Sequence, residues 1–339
     1  MIDGSGAGFM KRRDFIVLLG GAASSSVAPA FVVRAQPAAV PVLGFMSARS
    51  PEDSVRELAA FRRGLEEHGQ TEGRNLKIEY RWARGDYKQL PALAAELVGL
   101  KVNILMAGGG DGSALAAKAA SSTVPIVFVM GGDPIKAGLV DGYNRPGRNA
   151  TGCVILSNDI EAKRLGLLRE IVPEATLFGA MVNPSFPPAA GQLQDLETAA
   201  AKIGRPLFIA KASNDAELDA GFAALIGAGV NALIVASDPY FDTRRTRIID
   251  FAAGHRLPAI YHNRGYAIEG GLVSYGPNIP GAYHQAGIYC ALILNGAQPD
   301  DLPVTQPTQF DFVINLKTAE TLGISISPQL LARADEVME

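Results

Sequence analysis

Two loops carry most of the chemistry that can be read in this chain. Ser237-Asp238-Pro239-Tyr240-Phe241 and Tyr261-His262-Asn263-Arg264-Gly265-Tyr266 each set charged residues among aromatic ones. Asp238 could hold an ammonium group and Arg264 a carboxylate, while Tyr240, Tyr266 and Phe186 could stack on an aromatic or aliphatic body. Asp238 reads equally as a turn residue before proline, as does Asp133 before Pro134, and for Tyr240 and Tyr266 packing in the core or rim competes with ligand contact. A third loop, Gly108-Gly109-Gly110-Asp111, offers backbone instead of side chains. Unpaired N–H groups at a helix start attract anions and glycine lets a ligand come close, so Gly109 and Gly110 read as a carboxylate cradle. They read as well as an ordinary strand-to-helix turn with Asp111 as the N-cap.

Covalent and metal chemistry find little support. The four histidines, His68, His255, His262 and His284, are scattered and no pair has metal-ligand spacing. There is no nucleophile elbow, no P-loop, and the Gly108–Gly110 run does not complete a dinucleotide fingerprint. No cofactor or metal is expected, and nothing in the pattern asks for an enzyme.

The elements needed to position these loops alternate strictly. Apolar runs at Val40–Met46, Leu76–Trp82, Asn103–Met106 and Pro125–Met130 read as strands, and Ser54–His68, Leu90–Leu100 and Ser113–Ala120 as the helices between them. The pattern restarts with a helix over Glu161–Ile171 and strands over Leu177–Val182, Leu207–Lys211, Ala232–Ala236 and Ala259–Tyr261. Helices over Gln192–Ile203, Asp215–Ala228 and Arg244–His255 separate those strands. Such alternation predicts parallel sheets covered on both faces by helices, with ligands beyond the carboxyl ends of the strands. The strand-end loops Met46-Ser47-Ala48, Met130-Gly131-Gly132-Asp133 and Asn183–Phe186 therefore join the three above. Ser47, Gly131, Asp133, Asn183 and Phe186 are candidate ligand contacts. Tyr275 is a further candidate on a hinge strand, whereas Trp82 either faces the cleft or covers a sheet edge.

The chain also repeats itself. Gly73-Arg74-Asn75-Leu76, followed by a strand, a helix and Val102-Asn103-Ile104-Leu105-Met106, recurs as Gly204-Arg205-Pro206-Leu207, a strand, a helix and Val230-Asn231-Ala232-Leu233-Ile234. An interval of about 130 residues is a domain length, which means two similar α/β lobes facing a cleft, where a period of ~20–50 residues would mean a solenoid. Gly152–Leu156, Leu272–Gly276 and Thr308–Ile314 read as three crossings between the lobes, with a helix over Ala282–Leu294 returning to the first lobe, and several short crossings make a hinge. The expected division is 36–153 with 277–307 for the first lobe and 154–276 with 308–339 for the second.

The first 35 residues read as a removable export signal. Met10-Lys11-Arg12-Arg13-Asp14-Phe15 leads into a short apolar run, and Val33-Arg34-Ala35 suits a signal peptidase cutting near Ala35. The Arg12-Arg13 pair resembles the twin-arginine variant, and Met10 is a plausible start. A membrane anchor is the other reading of Phe15–Val33, but Ser24-Ser25-Ser26 and Pro29 interrupt it. The remaining chain carries 27 basic and 32 acidic residues, which argues against nucleic acid as a partner. Cys153 and Cys290 sit in apolar stretches and read as buried free thiols, and neither lies at the cleavage point where a lipid anchor would need it.

Several stretches together resemble a known family. These are the leader Lys11–Ala23, Phe61-Arg62-Arg63-Gly64-Leu65, Glu79-Tyr80-Arg81-Trp82-Ala83, Ala114–Ala120, Pro125–Val129 with Gly131-Gly132-Asp133-Pro134, Asn144-Arg145-Pro146-Gly147, Ser274-Tyr275-Gly276 and Val313–Ala319. They resemble the ABC-transporter substrate-binding family that includes the tryptophan- and tyrosine-type binding proteins, over essentially the whole chain. The resemblance implies a type I periplasmic binding protein architecture, two Rossmann-like lobes joined by a hinge. It also implies capture of a small molecule between them and delivery to an inner-membrane ABC permease with its ATPase. The family's commoner pattern places Thr-Pro where this chain has Asp111-Gly112, which sets the carboxylate-cradle reading against a resident negative charge. The expectation is a periplasmic, monomeric solute-binding protein for an amino acid or aromatic acid. A periplasmic sensor for a membrane receptor and a cleft hydrolase or isomerase remain as alternatives.

Overall fold

The computed structural model describes residues 40–155, 160–306 and 309–339, so the export signal expected over residues 1–35 lies outside the described residues. The first sheet is built from β1 (Val42–Ser47), α1 (Val55–Glu67), β2 (Lys77–Trp82), α2 (Leu90–Gly99), β3 (Ile104–Gly108), α3 (Asp111–Ala120), β4 (Ile126–Met130) and β5 (Ala150–Val154). Its five strands are all parallel, in the order β2-β1-β3-β4-β5. β1, β3, β4 and β5 are buried over nearly their whole length, as strands covered on both faces must be.

The second sheet takes the rest of the chain. α4 (Glu161–Ile171), β6 (Phe178–Val182), α5 (Ala189–Ile203), β7 (Leu207–Lys211), α6 (Asp215–Gly227) and β8 (Ala232–Val235) repeat the first lobe's rhythm. They are followed by α7 (Pro239–Asp242), α8 (Arg245–Gly254), β9 (Ala259–Tyr261), α9 (Arg264–Ile268), β10 (Val273–Pro277) and α10 (Ile279–Leu294). The chain closes with β11 (Phe310–Asn315), α11 (Leu316–Leu322), α12 (Pro328–Leu331) and β12 (Glu336–Met338). The strand order is β12-β11-β10-β9-β8-β6-β7.

The sheets match the expectation of two parallel-dominated α/β lobes, with one departure. β10 and β11 run antiparallel, with Tyr275 opposite Phe312. β10 ends and β11 begins beside the same point, where the Asn278 N–H donates to the Gln309 carbonyl, so one strand leaves where the other enters. The two short helices α7 and α9 and the closing α11, α12 and β12 were not legible as elements. Four or five residues after a strand are too few to show a helical period.

α10 packs on α1 although 211 residues separate their last and first residues. Glycines permit the close approach: a Cβ on Gly64 would lie 2.1 Å from the His284 carbonyl oxygen, and one on Gly287 2.2 Å from that of Phe61. Phe45, Phe61, Tyr283 and Cys290 fill the interface. The two cysteines are buried and free, and burial holds the Cys153 thiol up at about 12, so it stays protonated and unreactive. β5 is a full member of the first sheet, so the first crossing follows it; residues 156–159 of that crossing lie outside the described residues. The last crossing leaves Thr305, whose N–H and carbonyl bond to Gly152 and Val154 beside β5, and reaches Phe310 at the start of β11; Thr308, where it was expected to begin, lies with residue 307 outside the described residues.

Candidate functional site

The carboxyl ends of both sheets converge on one small cavity of about 40 Å³. From the first lobe come Arg49 after β1, Gly109 and Gly110 after β3, Gly131 after β4, and Ile279 and Tyr283 of α10. The second lobe contributes Phe186 after β6, Ser237, Asp238 and Asp242 after β8, and His262 after β9. A buried water needs roughly 10–15 Å³ of such space, so this cavity has room for only a few atoms. Wider grooves between the lobes open beside it, one of about 400 Å³ lined by Tyr87 and Tyr240 and one of about 510 Å³ lined by Asp111, Asp133 and Gln192.

Charge is concentrated on the second lobe's side. Asp238 caps α7: its Oδ1 accepts from the Phe241 N–H and from Asn183 Nδ2, each at 3.1 Å. Its Oδ2 accepts from the Tyr87 hydroxyl of the first lobe at 2.6 Å. Burial pushes this carboxyl up to about 6 despite those three donors. Asp242, at the other end of the same short helix, goes the opposite way. Burial alone would raise it, but Arg49 at 3.1 Å and His262 Nε2 at 3.0 Å outweigh that and hold it at about 2. Arg49 is itself buried and pairs also with Glu57 of its own lobe at 3.2 Å; those two carboxylates raise its affinity for its proton against the opposing cost of burial.

The first lobe's loops are spent differently. Gly109 and Gly110 adopt φ of 74° and 99°, in the left-handed region, and a Cβ on Gly109 would lie 2.6 Å from Ser47 Oγ. Both line the cavity, but neither N–H is open as a cradle: Gly109 donates to the Tyr283 hydroxyl at 2.8 Å and Gly110 to the Val129 carbonyl at 3.3 Å. Asp111 does not cap α3, whose N-cap is Gly110. Its Oδ1 instead accepts from the Gly131 and Gly132 N–H groups, both at 3.0 Å, so the anion-binding backbone of the β4 loop already holds a carboxylate from this chain.

Other expected contacts fall away from the central cavity. Asp133 accepts from the N–H groups of Ile135 and Lys136, the turn role, and lines the larger groove. The Tyr240 hydroxyl donates to Asp215 at 2.9 Å while its ring lies 5.1 Å from the Arg244 guanidinium, which places it on the 400 Å³ groove. Arg264 turns to Glu336 and Asp311 and lies on a separate gap beside Asp53 and Arg245. Tyr266 is core: it is buried and stacked on Tyr261 with ring centres 4.4 Å apart. Tyr275 stacks on Phe310 at 5.8 Å and meets Phe312 edge-on, so the antiparallel β10–β11 pair takes up its ring. Ser47 is buried behind the cavity, where its Oγ accepts from the Arg49 N–H. Trp82 covers the edge strand, stacked beside Tyr80 and packed on Phe45. Phe186 and Asp238 do line the central cavity, and the buried Asn183 is bonded to Asp238.

Among the residues sequence reasoning missed are Arg49, Tyr87, Asp242 and Tyr283. Arg49 and Asp242 each stand one residue beyond a strand-end loop that was singled out, and a charge just after such a loop was the available signal. Tyr87 and Tyr283 gave none, because each acts across a long sequence separation.

Comparison with known proteins decides what this arrangement belongs to. Residues 40–338 match the model of the family described as ABC transporter substrate binding protein. The chain belongs to that family. Such a substrate-binding protein has relatives of known name: a tyrosine-binding protein of Clostridioides difficile (strain R20291) is 27% identical over 265 residues, covering 78% of this chain and 75% of that one. Among solved structures, a conserved domain protein of Vibrio cholerae is 28% identical with a TM-score of 0.80, covering 88% of this chain and 99% of that one. A Streptococcus pneumoniae ABC domain in complex with L-Trp, at 22% identity and the same coverage, has a TM-score of 0.78. The ligand-free, open structure of a substrate binding protein with adhesive properties from Clostridium difficile, 25% identical at the same coverage, scores 0.61. The substrate-binding protein described here shares with them the two-lobed type I periplasmic binding protein fold.

Proposed function

We propose that this chain is the periplasmic solute-binding component of an ABC importer, that it captures an amino acid or aromatic acid between its lobes, and that it delivers the ligand to an inner-membrane permease and its ATPase. The observation that carries the reading is the meeting of strand-end loops from both sheets around Arg49, Asp238 and Asp242 at one cavity. A zwitterion needs opposite charges in one low-dielectric place, and this site has both. The names of the tyrosine-binding relative and of the tryptophan complex agree with that ligand class. The basic and apolar leader supports export, with cleavage near Ala35.

Gly109, Gly110, Gly131, Phe186 and Asp238, joined by Arg49 and Tyr283, form the ligand's immediate surroundings in this reading. The lobes, 36–153 with 277–307 and 154–276 with 308–339, rotate about the three crossings. Binding stabilises the closed form through contacts made with both lobes at once, and the closed form is the one the permease engages. The chain superposes more closely on the tryptophan complex than on the open relative, which supports an arrangement with the lobes drawn together. To admit an aromatic amino acid the lobes must sit somewhat wider than here, with Phe186 moving off Tyr87, on which it now stacks at 6.0 Å.

A thermal-shift screen tests this, using purified protein unfolded and refolded to strip bound ligand. Amino acids, aromatic acids, nucleosides and short dicarboxylic acids form the panel. A compound at 100 times its Kd adds ~2.7 kcal/mol. The expected result is a shift confined to amino acids or aromatic acids; a shift confined to nucleosides or dicarboxylates would overturn the ligand class.

A further inference from the structure

Where the lobes meet, the charges that line the cavity continue into a crossed pattern, of which the binding reading uses Arg49 and Asp242 but not Asp53 and Arg245. The first lobe presents Arg49 and Asp53 on the segment leading into α1; the second presents Asp242 and Arg245 at the junction of α7 and α8. The pairs are crossed: Arg49 meets Asp242 at 3.1 Å and Asp53 meets Arg245 at 3.8 Å. The side chains of the first pair are 3% and 5% exposed, and those of the second 15% and 12%. All four groups are therefore largely withdrawn from water where the lobes touch.

Each group also has a partner within its own lobe. Arg49 has Glu57 at 3.2 Å, Asp242 has His262 at 3.0 Å, Arg245 has Glu269 at 2.6 Å, and Asp53 accepts from the Ser50 hydroxyl at 2.5 Å. Separating the lobes would return the surfaces to water with every charge still accompanied. Bringing them together satisfies the cross-lobe pairs only if the register is right, because a slip sets Arg49 toward Arg245 or Asp53 toward Asp242. A buried ion pair contributes less through net attraction than through the large penalty for a wrong or missing partner.

We propose that Arg49, Asp53, Asp242 and Arg245 form a latch that fixes the register of lobe closure and sets the open-to-closed ratio whether or not ligand is bound. Asp53 and Arg245, which stand outside the cavity lining, are positioning residues that act on ligand affinity through the population of the closed form, and Arg49 and Asp242 join them to the site. This rests on the reading of the chain as a hinged binder. If only a fraction of molecules is closed, apparent affinity falls by that fraction. Through Asp53 and Arg245 the latch then tunes affinity without touching the ligand.

The test compares cross-lobe with same-lobe substitutions in ligand-stripped protein, by small-angle X-ray scattering. Asp242→Asn and Asp53→Asn each remove a cross-lobe partner and are expected to raise the open-to-closed ratio about tenfold, seen as a larger radius of gyration. Glu269→Gln removes only a same-lobe partner of Arg245 and is expected to scatter like the parent. Should the buried Asp242→Asn fail to fold, Asp53→Asn at the more accessible pair still decides the matter. The latch is overturned if Asp53→Asn scatters like the parent, or if Glu269→Gln opens the protein as far as Asp53→Asn does. Because the scattering needs no ligand, failure of the ligand screen leaves this result standing, and a ligand that binds with no change in scattering among the variants removes the latch alone.

Discussion

The loops after β3 and after β8 occupy equivalent places in the repeated lobes and are built in opposite ways. In the first lobe Gly108-Gly109-Gly110 makes the turn, and its backbone is bonded to Tyr283 and Val129. In the second lobe Ser237-Asp238-Pro239 makes it, and Asp238 caps the helix while also reaching across to Tyr87. The first loop gives room and a fixed backbone; the second gives a charged side chain. The difference teaches that a duplicated scaffold keeps its strands while its strand-end loops divide the work, since the loops carry the binding chemistry and the strands only the packing.

That division can be broken most sharply where charge is buried. Asp242→Ala takes from Arg49 its cross-lobe carboxylate, leaving Glu57 and the Asp53 carbonyl, and should cost about 3 kcal/mol, read by chemical denaturation. Gly109→Ala tests the other lobe: the left-handed φ and the contact with Ser47 Oγ should cost ~2 kcal/mol by the same measurement. If the glycine substitution were neutral, the first lobe's loop would not be fixed by its backbone.

The two aspartates of α7 should give opposite pH signatures. Asp238 is raised from 3.8 to about 6, so the folded state holds its proton more tightly and the contribution to stability declines as pH rises from about 4 through 6. In Asp238→Asn this decline should vanish, leaving the variant gaining on the parent by ~2.5 kcal/mol between pH 4 and 7. Asp242, held at about 2, contributes stability above pH 4 that is lost as pH falls toward 2. Urea midpoints measured across pH 2–7 for both variants should therefore diverge in opposite directions.

Smaller effects sharpen the comparison. Tyr87→Phe removes a cross-lobe donor to Asp238 and should cost ~1.5 kcal/mol in stability, again by denaturation, since a buried charged acceptor loses a partner. Asp133→Ala, at a more accessible turn of the first lobe, should cost only ~0.5 kcal/mol, because the lost acceptor leaves its N–H donors near water. An Asp133 effect as large as that of Tyr87 would show that this turn carries as much stability as the cross-lobe contact does.

Much of the scaffold was legible because it is local. The boundaries of α4, β7 and β9 follow the sequence reading to the residue, since period and stop signals lie within the segments themselves. The site was legible only in part. Phe186 and Asp238 line the cavity with Asn183 bonded to Asp238, whereas Arg264, Tyr266 and Tyr275 found partners in Glu336, Tyr261 and Phe310. A strand-end loop can be located from sequence, but the direction of a side chain on it depends on which neighbours compete for it.

The sequence by itself determined two similar α/β lobes, the alternation of strand and helix, the strand-end loops and the family they resemble. Hydrophobic period and repetition are properties of short segments, and they survive being read one segment at a time. Only the tertiary structure decided that Asp111 fills the β4 loop's backbone nest, that Tyr87 bonds Asp238, and that Arg49 meets Asp242. Each of those contacts joins residues brought together by the folded chain, and the surroundings that shift the two aspartates apart, burial for Asp238 and the charges of Arg49 and His262 for Asp242, are assembled only by folding.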